Sequence, residues 1–169
     1  MQSRDIIVAP ATALGGAIAV IRMSGEGSIA LCNRIFKGRK PLTEAASHTI
    51  HYGTICDGER VVDDVVVAIF RAPHSYTGEE SVEISIHGSR YIASEIIRLL
   101  CAQGARIAEA GEFSQRALAA GRIDLSQAEA VAAALLGGPG HTVHHVQRRL
   151  EEILHMQQHH ITMRRSLEG

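Results

Sequence analysis

The sequence predicts an α+β protein, strand-rich at first and helical afterwards. Three observations lead there. Short apolar runs between Asp5 and Arg71 are broken by Gly, Pro and an Asp-Gly pair. Val82-Glu83-Ile84-Ser85-Ile86 alternates apolar and polar residues, the mark of a strand with one buried face. From Tyr91 onward, apolar residues recur at helical spacing. There is no internal repeat.

Composition sets the bounds. The 169 residues suit one domain, or one domain with the beginning of a second. At 46% hydrophobic residues the chain can bury a real core, taking about 68–70% of its unfolded surface out of water. Trp is absent and aromatics are few, so that core rests on Ile, Val, Leu and Ala. A net charge of −1 gives no footprint for non-specific nucleic-acid binding. No apolar run approaches a membrane span, and Met1-Gln2-Ser3-Arg4-Asp5 has no signal-peptide pattern. Cys32, Cys56 and Cys101 are odd in number and scattered. That argues against a disulfide framework or zinc site and for a reducing, cytoplasmic setting.

Taken in order, Asp5 to Ala9 reads as a strand ended by Pro10. Thr12 to Gly16 is a Gly-bearing turn, and Ala17 to Met23 is a second strand, so the pair suggests a hairpin. Ser24-Gly25 breaks that strand. Ile29, Ala30, Ile35 and Phe36 predict a helix over residues 27–36, and Lys37 to Ser47 is a polar connection. His48 to Ile55 and Val61 to Arg71 are strands joined through Asp57-Gly58, because Gly accepts a positive φ without steric cost. The continuous apolar run Val65 to Phe70 predicts a central strand buried on both faces.

The stretch Arg71 to Gly88 organises the chain. A turn (Ala72 to Ser75) and a Gly-centred loop (Tyr76 to Glu79) lead into the alternating strand. Val82, Ile84 and Ile86 point one way; Glu83, Ser85 and His87 point the other. Such a face can present polar groups to a ligand, or serve as the wet side of an antiparallel sheet. Tyr91 to Gln103 then predicts a helix with Ile92, Ile96, Leu99 and Leu100 in one stripe, stopped by Gly104. Ala105 to Ala108 is a short final strand. Gln115 to Ala120 is helical and interrupted by Gly121. Asp124 and Gln127 have capping-box spacing for a helix from Ser126 to Leu136, which Gly137-Gly138-Pro139-Gly140 stops. Residues 141–169 carry six of the ten His, with i,i+4 pairs (His141 with His145, His155 with His159) able to hold Zn or Ni on a helix face, or to be plain solvated side chains. No metal site is assigned.

Five ordered blocks carry a resemblance. They are Ala17 to Gly25 (AIAVIRMSG), Ala72 to Glu79 (APHSYTGE), Val82-Glu83-Ile84 with His87-Gly88, Gly111 to Ala117 (GEFSQRA), and Asp124 to Val131 (DLSQAEAV). Together they span about 1–136 and resemble the N-terminal region of the MnmE/TrmE family of tRNA-modification GTPases. The resemblance implies a tetrahydrofolate-binding, dimer-forming α+β domain over 1–120, similar in fold to the aminomethyltransferase of the glycine cleavage system. Residues 121–169 would begin a central helical domain, atypical from 137.

The resemblance also implies the site. Arg22, Glu83 and Arg122 match the positions of the family's folate contacts. A reduced pterin presents a row of N–H donors, and the Glu83 carboxylate can accept two of them, a charge-assisted contact worth about 1.5–3 kcal/mol. Arg22 and Arg122 can clamp a carbonyl or carboxylate; read from sequence alone, each is equally a solvated surface charge, and Glu83 equally half of a cross-strand salt bridge. Tyr76, Thr77 and Arg116 are possible pocket supports, with Glu112 and Arg116 also spaced for an i,i+4 ion pair. No catalytic residue is assigned, and His87 reads as structural. The implied ligand is 5-formyltetrahydrofolate or a related tetrahydrofolate. The implied partners are a second copy of the chain and, for the full-length family, tRNA and an MnmG-type FAD protein, with no membrane.

The chain departs from the family at several points. Ile86 stands before His87-Gly88 where members often have Cys. Thr12 to Gly16 lacks the second Pro and the Arg of some members, and Arg122 replaces a usual Lys. No G-x-x-x-x-G-K-[ST] occurs, so the GTP, Mg2+ and K+ chemistry of the full-length family has no cradle here. The expected reading is a truncated or excised portion, not catalytic alone. A free-standing folate-dependent aminomethyltransferase and a purely structural dimerisation domain are the alternatives.

Overall fold

The apolar runs around the first Gly loop do form a hairpin. β1 (Ile7–Pro10) and β2 (Ile18–Ser24) pair antiparallel, with Ala9 opposite Arg22. Pro10 is the last residue of β1, where its missing N–H costs the ladder little. The computed structural model describes residues 5–136, with side chains as far as 131. The expected stop at Gly137 to Gly140 and the His-rich segment lie outside the described residues.

α1 (Ser28–Asn33) is shorter than the expected helix. Its N-cap is Gly27, whose side chain has nothing to offer, and the carboxylate of Glu80 accepts the Ile29 N–H at 2.8 Å instead. Phe36 does not extend this helix. It opens β3 (Phe36–Gly38), which pairs with β4 (Thr49–Asp57). The reason is local: the Phe36 ring lies against Gly38 and Gly53, where a Cβ on either glycine would collide with it. β5 (Arg60–Phe70) follows the tight turn in which Gly58 adopts φ +62°. β6 (Ser81–His87) pairs with both β5 and β2.

α2 (Arg90–Ala102) starts at Ser89, whose hydroxyl accepts the Ile92 N–H at 3.4 Å, and ends before Gly104 at φ +114°. β7 (Arg106–Ile107) runs parallel to β1. The sheet order is β3-β4-β5-β6-β2-β1-β7, mixed because of that one parallel pair. The class is α+β.

Core residues occupy one face of the sheet. Ala19, Ile21 and Met23 of β2, Val65, Val67 and Ile69 of β5, and Val82, Ile84 and Ile86 of β6 are almost fully buried there. Ile29, Leu31 and Cys32 of α1 and Ala93, Ile96, Leu99 and Leu100 of α2 join the same cluster. Ile92, expected in the stripe, is half-buried at its edge.

The expectation that β5 is buried on both faces fails. Its burial alternates, and Val66 is 38% exposed. β5 is central in the sheet, yet the face opposite the helices is largely open. Ile18, Ile50 and Tyr52 stand 69–72% exposed there. An apolar run is therefore no proof of double burial.

The chain divides into two compact units, Met1–Ala108 and Glu109–Gly169. In the second, α3 (Glu112–Ala119) precedes Gly121 at φ +66° and α4 (Leu125–Leu136) follows. The predicted capping box is present and reciprocal. The Gln127 N–H donates to Asp124 Oδ1 at 2.8 Å, and the Asp124 N–H donates to Gln127 Oε1 at 3.0 Å. Leu118 and Ala128, with Ile123 and Leu125, form a small cluster of their own.

Candidate functional site

The open face of the sheet is built in rows. Ile50, Ala68, Glu83, Arg22 and Ala9 lie side by side across five strands, and Tyr52, Val66, Ser85 and Val20 form the next row. Alternation along β2 and β6 fixes which side chains share this face; register between the strands fixes which ones meet.

Arg22 and Glu83 are direct cross-strand partners. Arg22 Nε donates to Glu83 Oε1 at 2.9 Å and Nη2 donates to the same oxygen at 2.7 Å. Both bonds converge on Oε1, and no described residue donates to Oε2. The side chains are 27% and 30% exposed. The Arg22 guanidinium also lies over the Tyr76 ring, 5.0 Å from its centroid. Three predicted residues thus meet at one place: a carboxylate with an accepting oxygen, a guanidinium and an aromatic ring.

The loop from Arg71 to Glu80 bounds this place on one side, and buried hydroxyls tie it down. Ser24 Oγ is 2.6 Å from Thr77 Oγ1 and donates to Glu79 Oε2 at 2.7 Å. Ser24 and Thr77 are fully buried and Ser81 nearly so. Ser75 Oγ donates to the Glu79 carbonyl. At its start the Arg71 guanidinium donates to the carbonyls of Thr43 and Ala45. Thr77 is therefore an internal strut of the loop, and Tyr76 is the residue the loop presents.

At the far end of β6, Asp63 holds His87 twice. Its Oδ2 accepts the His87 backbone N–H at 2.9 Å, and its Oδ1 lies 2.7 Å from Nδ1. The Asp63 side chain is 6% exposed and that of His87 67%. The imidazole is anchored yet solvent-facing, and no described residue bonds Nε2. Gly88 follows with no room for a side chain, because a Cβ would collide with the Gly16 carbonyl.

Arg116 and Arg122 belong to the second unit. Arg116 Nη2 donates to Glu112 Oε1 at 3.1 Å, with both side chains about nine-tenths buried, so the expected i,i+4 pair forms. The Arg122 backbone N–H closes α3 by donating to the Ala117 carbonyl at 2.8 Å. Among the described residues no group of three or more His, Cys, Asp or Glu is placed to hold a metal ion.

The sequence makes Ser24 a strand breaker, whereas it is paired as the last residue of β2, and it assigns Glu79 and Asp63 no side-chain role. Each contact joins segments 24 or more residues apart, and nothing local in the chain announces them.

The match to known proteins covers these elements. A family profile described as "GTP-binding protein TrmE N-terminus" matches residues 6–122. Proteins described as tRNA modification GTPase MnmE share high identity. That of Flavobacterium johnsoniae is 49% identical over 149 residues, covering 86% of this chain and 32% of the relative. Those of Bacteroides thetaiotaomicron and Christiangramia forsetii are 52% and 53% identical over 78% of this chain, covering 29% and 28% of their own lengths. The chain thus spans about a third of the length of these relatives. No helix among the described residues is long and apolar enough to cross a membrane. With the profile spanning both the β2–β6 pair and the Arg71 to Glu80 loop, the chain belongs to the TrmE N-terminal family.

Proposed function

We propose that this chain is the tetrahydrofolate-binding and dimer-forming part of a tRNA wobble-uridine modification GTPase, with the one-carbon donor site on the open sheet face. One observation carries the reading: Glu83 gives Oε1 to Arg22 and keeps Oε2 for an outside donor. A reduced pterin offers a row of N–H groups to such an oxygen, and charge-assisted bonds of this kind contribute about 1.5–3 kcal/mol. The residues therefore fit the group. Glu83 would accept from the pterin, Arg22 would hold Glu83 in place and meet a ligand carbonyl, and Tyr76 would cover the ring. Arg122 would bring a second guanidinium, and Arg116 would support it from α3. The bound folate would supply the one-carbon unit; the chain's own residues bind and orient it. An aminomethyltransferase-like fold with its folate domain over 1–120 agrees with this reading.

A homodimer also agrees with it. Ile18, Ile50, Tyr52 and Val66 leave an apolar sheet face exposed, and a second copy is the occupant proposed. GTP with Mg2+ and K+, tRNA, an MnmG-type FAD protein and a cytoplasmic setting are proposed for the longer protein. Calorimetry with 5-formyltetrahydrofolate tests the site. Glu83→Ala is expected to weaken binding at least tenfold; equal affinity in the variant removes Glu83 from it. Light scattering tests the dimer, and a monomer at micromolar concentration rules it out.

A further inference from the structure

We infer that the basic segment around β3 is a docking surface for the phosphate backbone of an RNA, resting on the tRNA proposed above for the longer protein. Residues 34–40 read Arg-Ile-Phe-Lys-Gly-Arg-Lys. They hold both lysines of the chain and two of its arginines, with no carboxylate among them. A near-neutral total therefore conceals one strongly positive segment, and the rest of the chain is net acidic. The segment is remote from Glu83: β3 is the outer strand of the sheet, and β4 and β5 stand between it and β6.

The fold keeps these charges outward and leaves them unspent. Ile35 and Phe36 are buried in the core, while Arg34, Lys37, Arg39 and Lys40 are all exposed. Arg34 is the C-cap of α1, Lys37 sits in β3 opposite Thr54, and Arg39 and Lys40 follow the strand. Elsewhere in the described residues Arg22, Arg60, Arg71, Arg98, Arg106 and Arg116 each lie within 4.0 Å of a carboxylate. None of the four cations near β3 forms an ion pair among the described residues. Arg34 Nη1 donates to the Gln103 carbonyl at 3.4 Å, and Lys37 Nζ donates to the Gly58 carbonyl at 3.3 Å. Asp57, next to Gly58, is held by Arg60 and Arg98 instead.

Charge on a short edge strand also keeps one sheet from pairing with another. That role needs charge on the strand itself, and β3 carries only Lys37; Arg34, Arg39 and Lys40 stand outside it. The kind of partner follows from what the segment exposes, which is cations and glycine with no large apolar side chain. Protein partners take hold through aromatic or aliphatic anchors, and lysine is depleted where they meet. A phosphate backbone asks only for cations set along it and reads no sequence.

Fluorescence anisotropy of the full chain with a labelled tRNA tests this surface. With four phosphate contacts, affinity should fall about hundredfold between about 50 and 200 mM salt. The triple variant Lys37→Gln/Arg39→Gln/Lys40→Gln should bind about hundredfold more weakly than the wild type at roughly 100 mM salt and lose most of the salt dependence. Arg90→Gln removes an exposed arginine of α2 and should leave binding unchanged. Circular dichroism and light scattering check that each variant keeps the fold and oligomeric state of the wild type. Wild-type affinity and salt slope in the folded triple variant overturn the surface, while tRNA remains a partner through other residues. An Arg90→Gln loss as large as that of Arg39→Gln alone overturns it as an effect of bulk charge. Equal competition by a polyglutamate peptide of matched charge overturns RNA as the occupant in favour of an acidic protein segment. A wild type that binds no tRNA at about 50 mM salt also overturns the surface, and the folate site is decided separately by its own calorimetry.

Discussion

Ser24 on β2 donates its hydroxyl to Glu79 at 2.7 Å, joining the strand that carries Arg22 to the loop that carries Tyr76. The hydroxyl therefore fixes where the aromatic ring stands relative to the guanidinium.

Ser24→Ala is expected to loosen this loop. The change strips one partner from Thr77 and from Ser81, both buried. Leaving buried hydroxyls short of a bond costs about 1–3 kcal/mol. Urea unfolding should show a loss of that size, and hydrogen exchange should rise at residues 75–80 more than in β4 or β5. Uniform exchange across the chain would mean that Ser24 supports the whole sheet and not the loop.

Arg22 and Glu83 should matter little to stability and much to binding. The pair is about a quarter to a third exposed, and such pairs contribute about 0–1 kcal/mol. A double-mutant cycle on Arg22→Ala and Glu83→Ala should give a coupling below about 1 kcal/mol in urea unfolding. The same variants should each lose at least tenfold in 5-formyltetrahydrofolate affinity. A coupling of several kcal/mol with intact affinity would make the pair a purely structural clasp.

Much of this site can be read from the chain, and part of it cannot. The alternation at Val82 to Ile86 placed Glu83 and His87 opposite the core because the side-chain period of a strand is two. That β6 pairs with β2, so that Arg22 meets Glu83 over 61 positions, is a choice among distant strands that no local pattern encodes. Asp63 shows the same limit: it lies in an ordinary strand run and becomes the anchor of His87 only when β5 and β6 are adjacent. Phe36 departs from the expected helix because its spacing suits one, while the space its ring needs is created by Gly38 and Gly53. Val66 departs from the expectation because an apolar run does not reveal that the second face stays open around it among the described residues. The capping box of Asp124 and Gln127 was fully legible, being local in sequence and in space.

Gly88→Ala should be among the most damaging single substitutions. Its Cβ would enter the Gly16 carbonyl, and that segment is fixed by the Gly15 N–H donating to the Gly88 carbonyl at 2.7 Å and the Gly88 N–H donating to the Ala17 carbonyl at 3.1 Å. Overpacking of this kind costs about 1–3 kcal/mol, and a loss at the upper end of that range is expected. Gly16→Ala is the control, since its Cβ would make only ordinary contact at 3.8 Å. Equal melting temperatures for the two variants would contradict this packing.

The Cys32 thiol supplies a pH-dependent prediction. It lies on the buried face of α1, and burial pushes its pKa up from 9.0 to about 12. The unfolded chain loses this proton near 9 while the folded chain keeps it, so the native state binds more protons between these values. Stability must then fall as pH rises through that window, by at most about 1.4 kcal/mol per pH unit, and be unaffected by Cys32 below it. Urea unfolding from pH 8 to 10.5 should show a steeper decline for the wild type than for Cys32→Ala, whatever offset the missing sulfur adds. Under native conditions at pH 8, Cys32 should resist a disulfide-exchange reagent that the half-buried Cys101 accepts more readily. Parallel pH profiles for the two proteins, or rapid native labelling of Cys32, would place this thiol at the surface and contradict the packing of α1 on the sheet.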